Sequence, residues 1–279
     1  MATLKKLLRT ICTTCMLGFV MVSGALAPSL AQVVPLPHAH AHNDYYHTRP
    51  LLDALSHGFT SIEADVLQID GELYVGHDMP ESTQDLPTLR EAYLEPLARI
   101  VHNHRGEVYP DFGGEFYLMI DIKTEAEATY GVLNEQLADF QHILSRTENG
   151  NFMPGAVTIF LSGNRPMATL RQADNRLVAL DGRPENLGEN YAPDLMPVIS
   201  ENYSKVIRWD GVGEISKADF QRLTELTTKA HAEGKKVRLW AAPDNQNAWA
   251  TLKKAGIDLI NTDNLPGLKA FLLEDYVSH

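Results

Sequence analysis

From residue 32 onward the chain alternates short apolar runs of strand character with amphipathic runs of helical period, about eight times before it ends at His279. Such a repeat implies a parallel sheet, because parallel neighbours need a long crossover and a helix is the usual one. The first strand is expected near 38–44, followed by a helix that Pro50 initiates over Leu51–Leu55 and Gly58 ends. Further strands are expected over Thr60–Val66, Leu73–Val75, Phe116–Ile120, Val157–Leu161, 177–180, Lys205–Trp209, Val237–Trp240 and Asp258–Ile260. Helices are expected over 87–103, 125–145, 166–173, 217–233, 245–255 and 265–275. Count and size fit one (β/α)8 TIM barrel, which typically takes about 250 residues. A doubly wound open sheet is the alternative, but its Gly-rich phosphate loop after the first strand is missing. In a barrel, chemistry belongs at the C-terminal ends of the strands.

Residues 1–31 have the pattern of a signal peptide. Lys5, Lys6 and Arg9 precede the apolar run Ile11–Val22, and Ser29-Leu30-Ala31 offers a cleavage site. The expectation is therefore an exported bacterial protein, periplasmic or secreted, with 32–279 as its single domain. The apolar run is short of the roughly 20 residues a membrane span requires. Both cysteines, Cys12 and Cys15, fall inside this segment, so the mature domain has no disulfide and no thiolate metal site. The whole chain carries a net charge of −12, and removing three basic residues and no acidic ones takes it to −15. That balance argues against nucleic-acid binding and against a polybasic hold on anionic membranes. A monomer acting on a small-molecule or lipid substrate is expected.

Polar residues gather where the predicted strands end. The first carries His38, His40 and His42, which alternation places on one side. The second carries Glu63 and Asp65, two apart and pointing the same way. A short hairpin then delivers Gly76-His77-Asp78, and the third strand ends in Asp121-Ile122-Lys123. Glu63, Asp65 and Asp121 can supply three hard oxygen ligands, which suit Mg²⁺ or Ca²⁺. Lys123 beside such a metal is a partner for an anionic oxygen. His42 and His77 can act as base and acid on either side of a phosphorus centre. His38 and His40 are read as spacers or supports behind the site.

Two other functions start from the same residues. His-x-His at the end of the first barrel strand also opens metal-dependent amidohydrolase sites. Those need further histidines after the middle strands, and Val178–Asp181 and Ile207–Asp210 bring none, although Asp263 follows the last strand. A non-catalytic barrel that binds phosphodiesters or sugars is the second, with Arg183 of Asp181-Gly182-Arg183-Pro184 as an anion contact. The paired histidines discriminate against it, since a pure binder has no need of an acid and a base.

Four motifs in order, His42-Asn43-Asp44-Tyr45, Ile62-Glu63-Ala64-Asp65-Val66, Gly76-His77-Asp78 and Asp121-Ile122-Lys123-Thr124, resemble the phosphatidylinositol-phospholipase-C-like phosphodiesterase superfamily. That group includes glycerophosphodiester phosphodiesterases and sphingomyelinase D type phospholipases. The run His42–Tyr45 with Arg49-Pro50-Leu51-Leu52-Asp53-Ala54-Leu55 resembles its altered-inheritance-of-mitochondria branch. The resemblance is densest over 38–125 and returns at Asn261-Thr262-Asp263-Asn264. It implies a barrel binding one divalent cation, Mg²⁺ or Ca²⁺, through Glu63, Asp65 and Asp121. It also implies His42 and His77 as the acid/base pair, Lys123 on the phosphate and Trp240 lining the substrate pocket. The implied reaction is cleavage of a glycerophosphodiester or phospholipid headgroup P–O bond, in which a substrate hydroxyl often attacks to give a cyclic phosphate. Glycerophosphodiester enzymes begin His-Arg-Gly and then carry Glu-Asn and Glu-x-Lys, whereas this chain has His42-Asn43-Asp44, Glu63-Ala64-Asp65 and Asp121-Ile122-Lys123. Asn43 is the candidate replacement for the missing arginine as a neutral contact. The cysteine-stapled loop of the sphingomyelinase D group is absent.

Overall fold

Strand β1 (Leu36–Ala41) has a parallel partner on each side, and this closes the sheet. The computed structural model describes residues 33–277. On one side β1 pairs with β2 (Phe59–Ile69), on the other with β11 (Leu259–Thr262). Between them run β4 (Tyr117–Ile122), β7 (Thr158–Gly163), β8 (Ala179–Gly182), β9 (Val198–Asn202) and β10 (Lys236–Trp240), all parallel. The expected single (β/α)8 barrel is the fold. β3 (Glu72–Val75) folds back antiparallel on the far half of β2, and β5 (Arg146–Glu148) and β6 (Asn151–Met153) form a separate hairpin.

Period-two alternation sorts each strand into an outer and an inner set. Outward residues such as Ile62, Ala64, Leu118, Ile120, Leu161, Leu180, Val237 and Ile260 are buried beneath the surrounding helices in the main core. Inward residues Tyr117, Met119, Phe160, Ala179, Val198 and Leu259 fill the lower barrel as a smaller apolar cluster. One step further along the same strands the inward positions turn polar: Glu63, Asp65, Asp121, Ser162, Asp181, Ser200, Arg238 and Asn261. The apolar floor excludes water, and the polar layer above it opens at the C-terminal rim.

Several element boundaries differ from the sequence expectation. The sixth barrel strand is Val198–Asn202, not Lys205–Trp209; the Asn202 side chain accepts the Ser204 N–H at 2.9 Å and turns the chain into a short helix, Tyr203–Val206. The helix after β4 ends at Ala138 rather than 145, and the β5–β6 hairpin follows, with Asn149 and Gly150 both at positive φ in its turn. The helix after Pro50 begins at Leu52, because Leu51 takes φ 64° and ψ −53°, a γ-turn closed by Leu52 N–H to Pro50 O at 2.7 Å. The expected signal peptide, 1–31, lies outside the described residues. Among the described residues no helix is long and apolar enough to cross a membrane.

Candidate active site

Glu63, Asp65 and Asp121 converge at the rim, each offering an oxygen within 4.8 Å of the others. Asp65 and Asp121 are register partners on β2 and β4, so neighbouring strands set their spacing. Burial would favour a neutral Glu63, yet the Arg238 guanidinium at 2.6 Å and the His40 ring at 3.2 Å outweigh it and hold the carboxyl down at about 2. Both contacts fall on Oε2, which leaves Oε1 for a ligand. Asp65 Oδ2 is crowded by Tyr45 OH at 2.8 Å, His77 Nδ1 at 2.7 Å and Lys123 Nζ at 3.0 Å, whereas its Oδ1 is buried with no hydrogen-bond partner. Asp121 Oδ1 is in the same condition: Lys123 Nζ lies 3.1 Å away as an ion pair without hydrogen-bond alignment. Burial pushes Asp121 up to about 6, against the pull of Lys123 and with the push of Asp65 and Glu63. Two buried carboxylate oxygens, Asp65 Oδ1 with no partner and Asp121 Oδ1 facing only the Lys123 ammonium, beside an ionised Glu63 suit a hard divalent cation. Gly163 supports this cradle, since a Cβ there would sit 2.2 Å from Asp121 Oδ1.

The two histidines flank the acids. His42 follows β1 directly, and its Nδ1 lies 2.7 Å from Asp263 Oδ1 in the loop after β11. His77 follows β3, and its Nδ1 lies 2.7 Å from Asp65 Oδ2. A carboxylate at Nδ1 fixes the ring and leaves Nε2 as the free nitrogen in each case. Both line one cleft of about 660 Å³ with Asn43, Glu63, Asp121, Lys123 and Trp240. The sequence-predicted residues therefore share one site, Asp65 lying just beneath its lining. Trp240 stands at the rim and is about one-third exposed. Asn43 adopts the left-handed conformation, φ 48° and ψ 42°, and its Oδ1 is 3.0 Å from Tyr45 OH.

His40 is fully buried beneath the acids, with Nδ1 on Ser61 Oγ at 2.7 Å and Nε2 on Glu63. Burial, with Arg238 nearby, lowers it to about 3, so it is neutral and supports Glu63 as a hydrogen-bond donor. His38 instead bonds the Asp258 carbonyl at 2.9 Å. The His-x-His pair therefore does not converge on one metal, which removes the ground for an amidohydrolase. Sequence reasoning missed Arg238 as a site residue: buried on β10, it bonds Glu63 and, through Nε, Asn261 Oδ1 at 2.9 Å. An arginine at an inward strand position was the available signal, since a buried guanidinium requires an acidic partner. Asp44, the third residue of the His42–Tyr45 motif, plays a structural part. It is fully buried and accepts from Leu51 N–H at 2.5 Å and Tyr93 OH at 2.9 Å, which anchors the loop carrying His42 and Asn43.

Comparison with known proteins bears on this geometry. Residues 29–181 match an AIM6-like phosphodiesterase domain, and 236–266 match the glycerophosphoryl diester phosphodiesterase family. A relative from Arthroderma benhamiae, altered inheritance of mitochondria protein 6 homolog, is 27% identical over 86% of this chain and 84% of its own length. Altered inheritance of mitochondria protein 6 of Eremothecium gossypii is 29% identical over 88% of this chain and 72% of its own. In fold, the chain superposes on a crystal structure of a glycerophosphodiester phosphodiesterase from Parabacteroides distasonis with a TM-score of 0.57 at 15% identity, covering 86% of this chain and 98% of that one. The expectation of an exported bacterial protein, periplasmic or secreted, is corrected here: these curated relatives are fungal and carry the name of mitochondrial inheritance, which points away from that location. The first family match covers more than half of the sequence, and the protein belongs to the AIM6-like phosphodiesterase family.

Proposed function

We propose that this protein is a metal-dependent phosphodiesterase that cleaves a P–O bond of a glycerophosphodiester or phospholipid headgroup by two-histidine acid/base catalysis. The observation that carries the reading is the pair His42 and His77, each held at Nδ1 by a carboxylate and lining the same cleft as the acidic cluster. One imidazole takes the proton of the attacking hydroxyl at Nε2, and the other returns a proton to the leaving alkoxide. Lys123 offers its ammonium to a phosphoryl oxygen, and Trp240 lines the side where the alcohol sits. Glu63, Asp65 and Asp121 would hold one Mg²⁺ or Ca²⁺, which would supply positive charge to offset that of the phosphoryl oxygens. Asn43 contributes a neutral amide at the mouth. The substrate is a small-molecule or lipid phosphodiester handled by a single protomer, and nucleic acid is not a partner. Where a neighbouring substrate hydroxyl attacks, the first product is a cyclic phosphate.

The test is release of p-nitrophenol from bis(p-nitrophenyl) phosphate by metal-stripped protein with and without Mg²⁺ or Ca²⁺, followed by natural glycerophosphodiesters. Metal-dependent release with a bell-shaped pH profile, lost in His42→Ala and His77→Ala, is expected, because one ring must be neutral while the other is protonated. A flat profile from pH 5 to 9 under chemistry-limited conditions removes the two-histidine assignment. No turnover of either substrate class by folded, metal-loaded protein leaves a non-catalytic binding barrel.

A further inference from the structure

Beyond the acidic cluster, the cleft wall is built by β7 and β8 around a second set of polar groups. Asp181, fully buried, accepts from Ser162 Oγ at 2.8 Å, Ser200 Oγ at 2.6 Å and Arg183 Nη1 at 2.8 Å. Arg183 Nη1 also donates to the Gly182 carbonyl at 2.8 Å, so both of its protons are committed. Nη2 reaches only Ser162 Oγ, at 3.4 Å, and among the described residues Nε has no acceptor. The Nη1 side of the guanidinium is locked to the protein, and Arg183 is one of the residues that line the cleft.

Charge makes this edge conspicuous. Arg165 bonds the main-chain carbonyl of Asp181 rather than its carboxylate, and its Nε is buried without a partner. Two guanidiniums therefore flank one buried carboxylate, with the exposed Glu185 and the more distant Asp121 of the acidic cluster as the further acids that act on Arg165. In the acidic cluster the balance is different. Lys123 and Arg238 leave one of the three carboxylates uncompensated, and a divalent cation turns that into a single positive charge, enough for one phosphodiester. The positive charge at Arg183 has no counterpart in the reacting group. Asp121 and Ser162 are register partners, and β8 is the next strand beyond Ser162. Asp181, level with Ser162, thus stands two strand spacings, about 10 Å, from Asp121, and Arg183 follows two residues further along, just past the end of β8.

Resting on the phosphodiesterase reading above, we infer that the free edge of Arg183 forms a second anion subsite, and that the substrate carries a further acidic group, a phosphomonoester or a carboxylate, a few bonds from the scissile phosphate. Asp181, with Ser162 and Ser200, presets the fork so that little side-chain freedom is lost on binding. Such a subsite selects against leaving alcohols that end in an ammonium.

Binding can be read without turnover. Titration calorimetry on Mg²⁺-loaded His42→Ala protein compares 1,3-propanediol bisphosphate with propyl phosphate. The bisphosphate is expected to bind about tenfold or more tightly, the range of one hydrogen-bonded charge pair. That advantage should vanish in Arg183→Gln, and also in the double variant Asp181→Asn/Arg183→Gln, which leaves no buried carboxylate short of a donor. Equal affinities, or an advantage that survives both substitutions, overturns the subsite. If the advantage is present and depends on Arg183 while no diester is turned over, the subsite stands and the phosphodiesterase reading fails.

Discussion

Replacing Asp44 by asparagine should change how stability depends on pH, and the size of the change follows from the residue's surroundings. Asp44 is fully buried, and burial raises its carboxyl from an ordinary 3.8 to about 6, against the pull of the Leu51 N–H and Tyr93 hydroxyl bonds. A carboxyl whose folded value is raised stabilises the protein below the unfolded value, and that contribution is lost as pH rises through the folded one. The loss therefore runs from about pH 4 to just above pH 6. Two pKa units at 1.36 kcal/mol each give about 3 kcal/mol. Asparagine mimics the protonated acid: its Oδ1 can accept the same two bonds made to Asp44 Oδ2, and its NH₂ takes the place of Oδ1, which has no partner. Asp44→Asn should thus lie within about 1 kcal/mol of the native protein at pH 4 and about 3 kcal/mol above that difference at pH 7. Urea unfolding of both proteins at unit intervals from pH 4 to 8 measures this, and the other titrating groups cancel in the difference. With m of about 3 kcal/mol/M, the midpoint gap should open by about 1 M. A gap that stays constant, or that moves in favour of aspartate as pH rises, refutes the reasoning.

Two further substitutions probe the acidic cluster. Arg238→Met strips Glu63 of its guanidinium and should cost about 3–5 kcal/mol at pH 8, less at pH 5 where Glu63 can protonate; equal losses in unfolding at the two values contradict the pairing. Gly163→Ala places a methyl 2.2 Å from Asp121 Oδ1 and 2.4 Å from the Ile122 carbonyl at φ +63°. It should cost at least about 1–2 kcal/mol and weaken Mg²⁺ affinity roughly tenfold by calorimetry, and unchanged affinity would remove Asp121 from the ligand set.

The legible part of the fold and site is the part that depends on local period. Glu63 and Asp65 stand two apart on one strand, so alternation alone puts both carboxylates inward, and Asp121 arrives by the same rule on the neighbouring strand. The strand–helix repeat likewise yields the barrel without knowledge of which edges meet. What closure creates is not legible. Arg238 sits 175 residues from Glu63, and the two meet because β10 and β2 face one interior. His42 depends on Asp263 in the same way, across the seam between β1 and β11. β9 was missed because its buried stretch is only Val198-Ile199-Ser200, behind Pro197, while the Lys205–Trp209 run looked equally strand-like. The helical period runs on to 145, past the true end at Ala138, and the Asn149-Gly150 turn that follows belongs to a hairpin too short to show an alternating pattern.

Closure also explains how the His42-Asn43-Asp44 run can replace the His-Arg-Gly that opens glycerophosphodiester enzymes. A barrel rim is a ring, so a charge needed above the axis can come from any strand whose side chain reaches inward. Here the guanidiniums in the cleft come from Arg183, just past the end of β8, and Arg238 on β10, both far along the chain. The second position of the motif is thereby released from carrying charge. Asn43 instead supplies a left-handed backbone, a conformation asparagine tolerates better than arginine. That turn lets Asp44 point into the core, where it holds Leu51 in its γ-turn and bonds Tyr93. Tyr45 then reaches back to Asp65. Four consecutive residues carry four separate tasks: the proposed proton transfer at His42, a backbone turn at Asn43, a buried anchor at Asp44 and a hydrogen bond to Asp65 from Tyr45. An arginine put back at position 43 would bring a third guanidinium to a cleft already supplied with two, and it would strain the turn that seats Asp44. Position 43 is thus shaped by the backbone turn it makes, while the guanidiniums that line the cleft stand elsewhere on the rim.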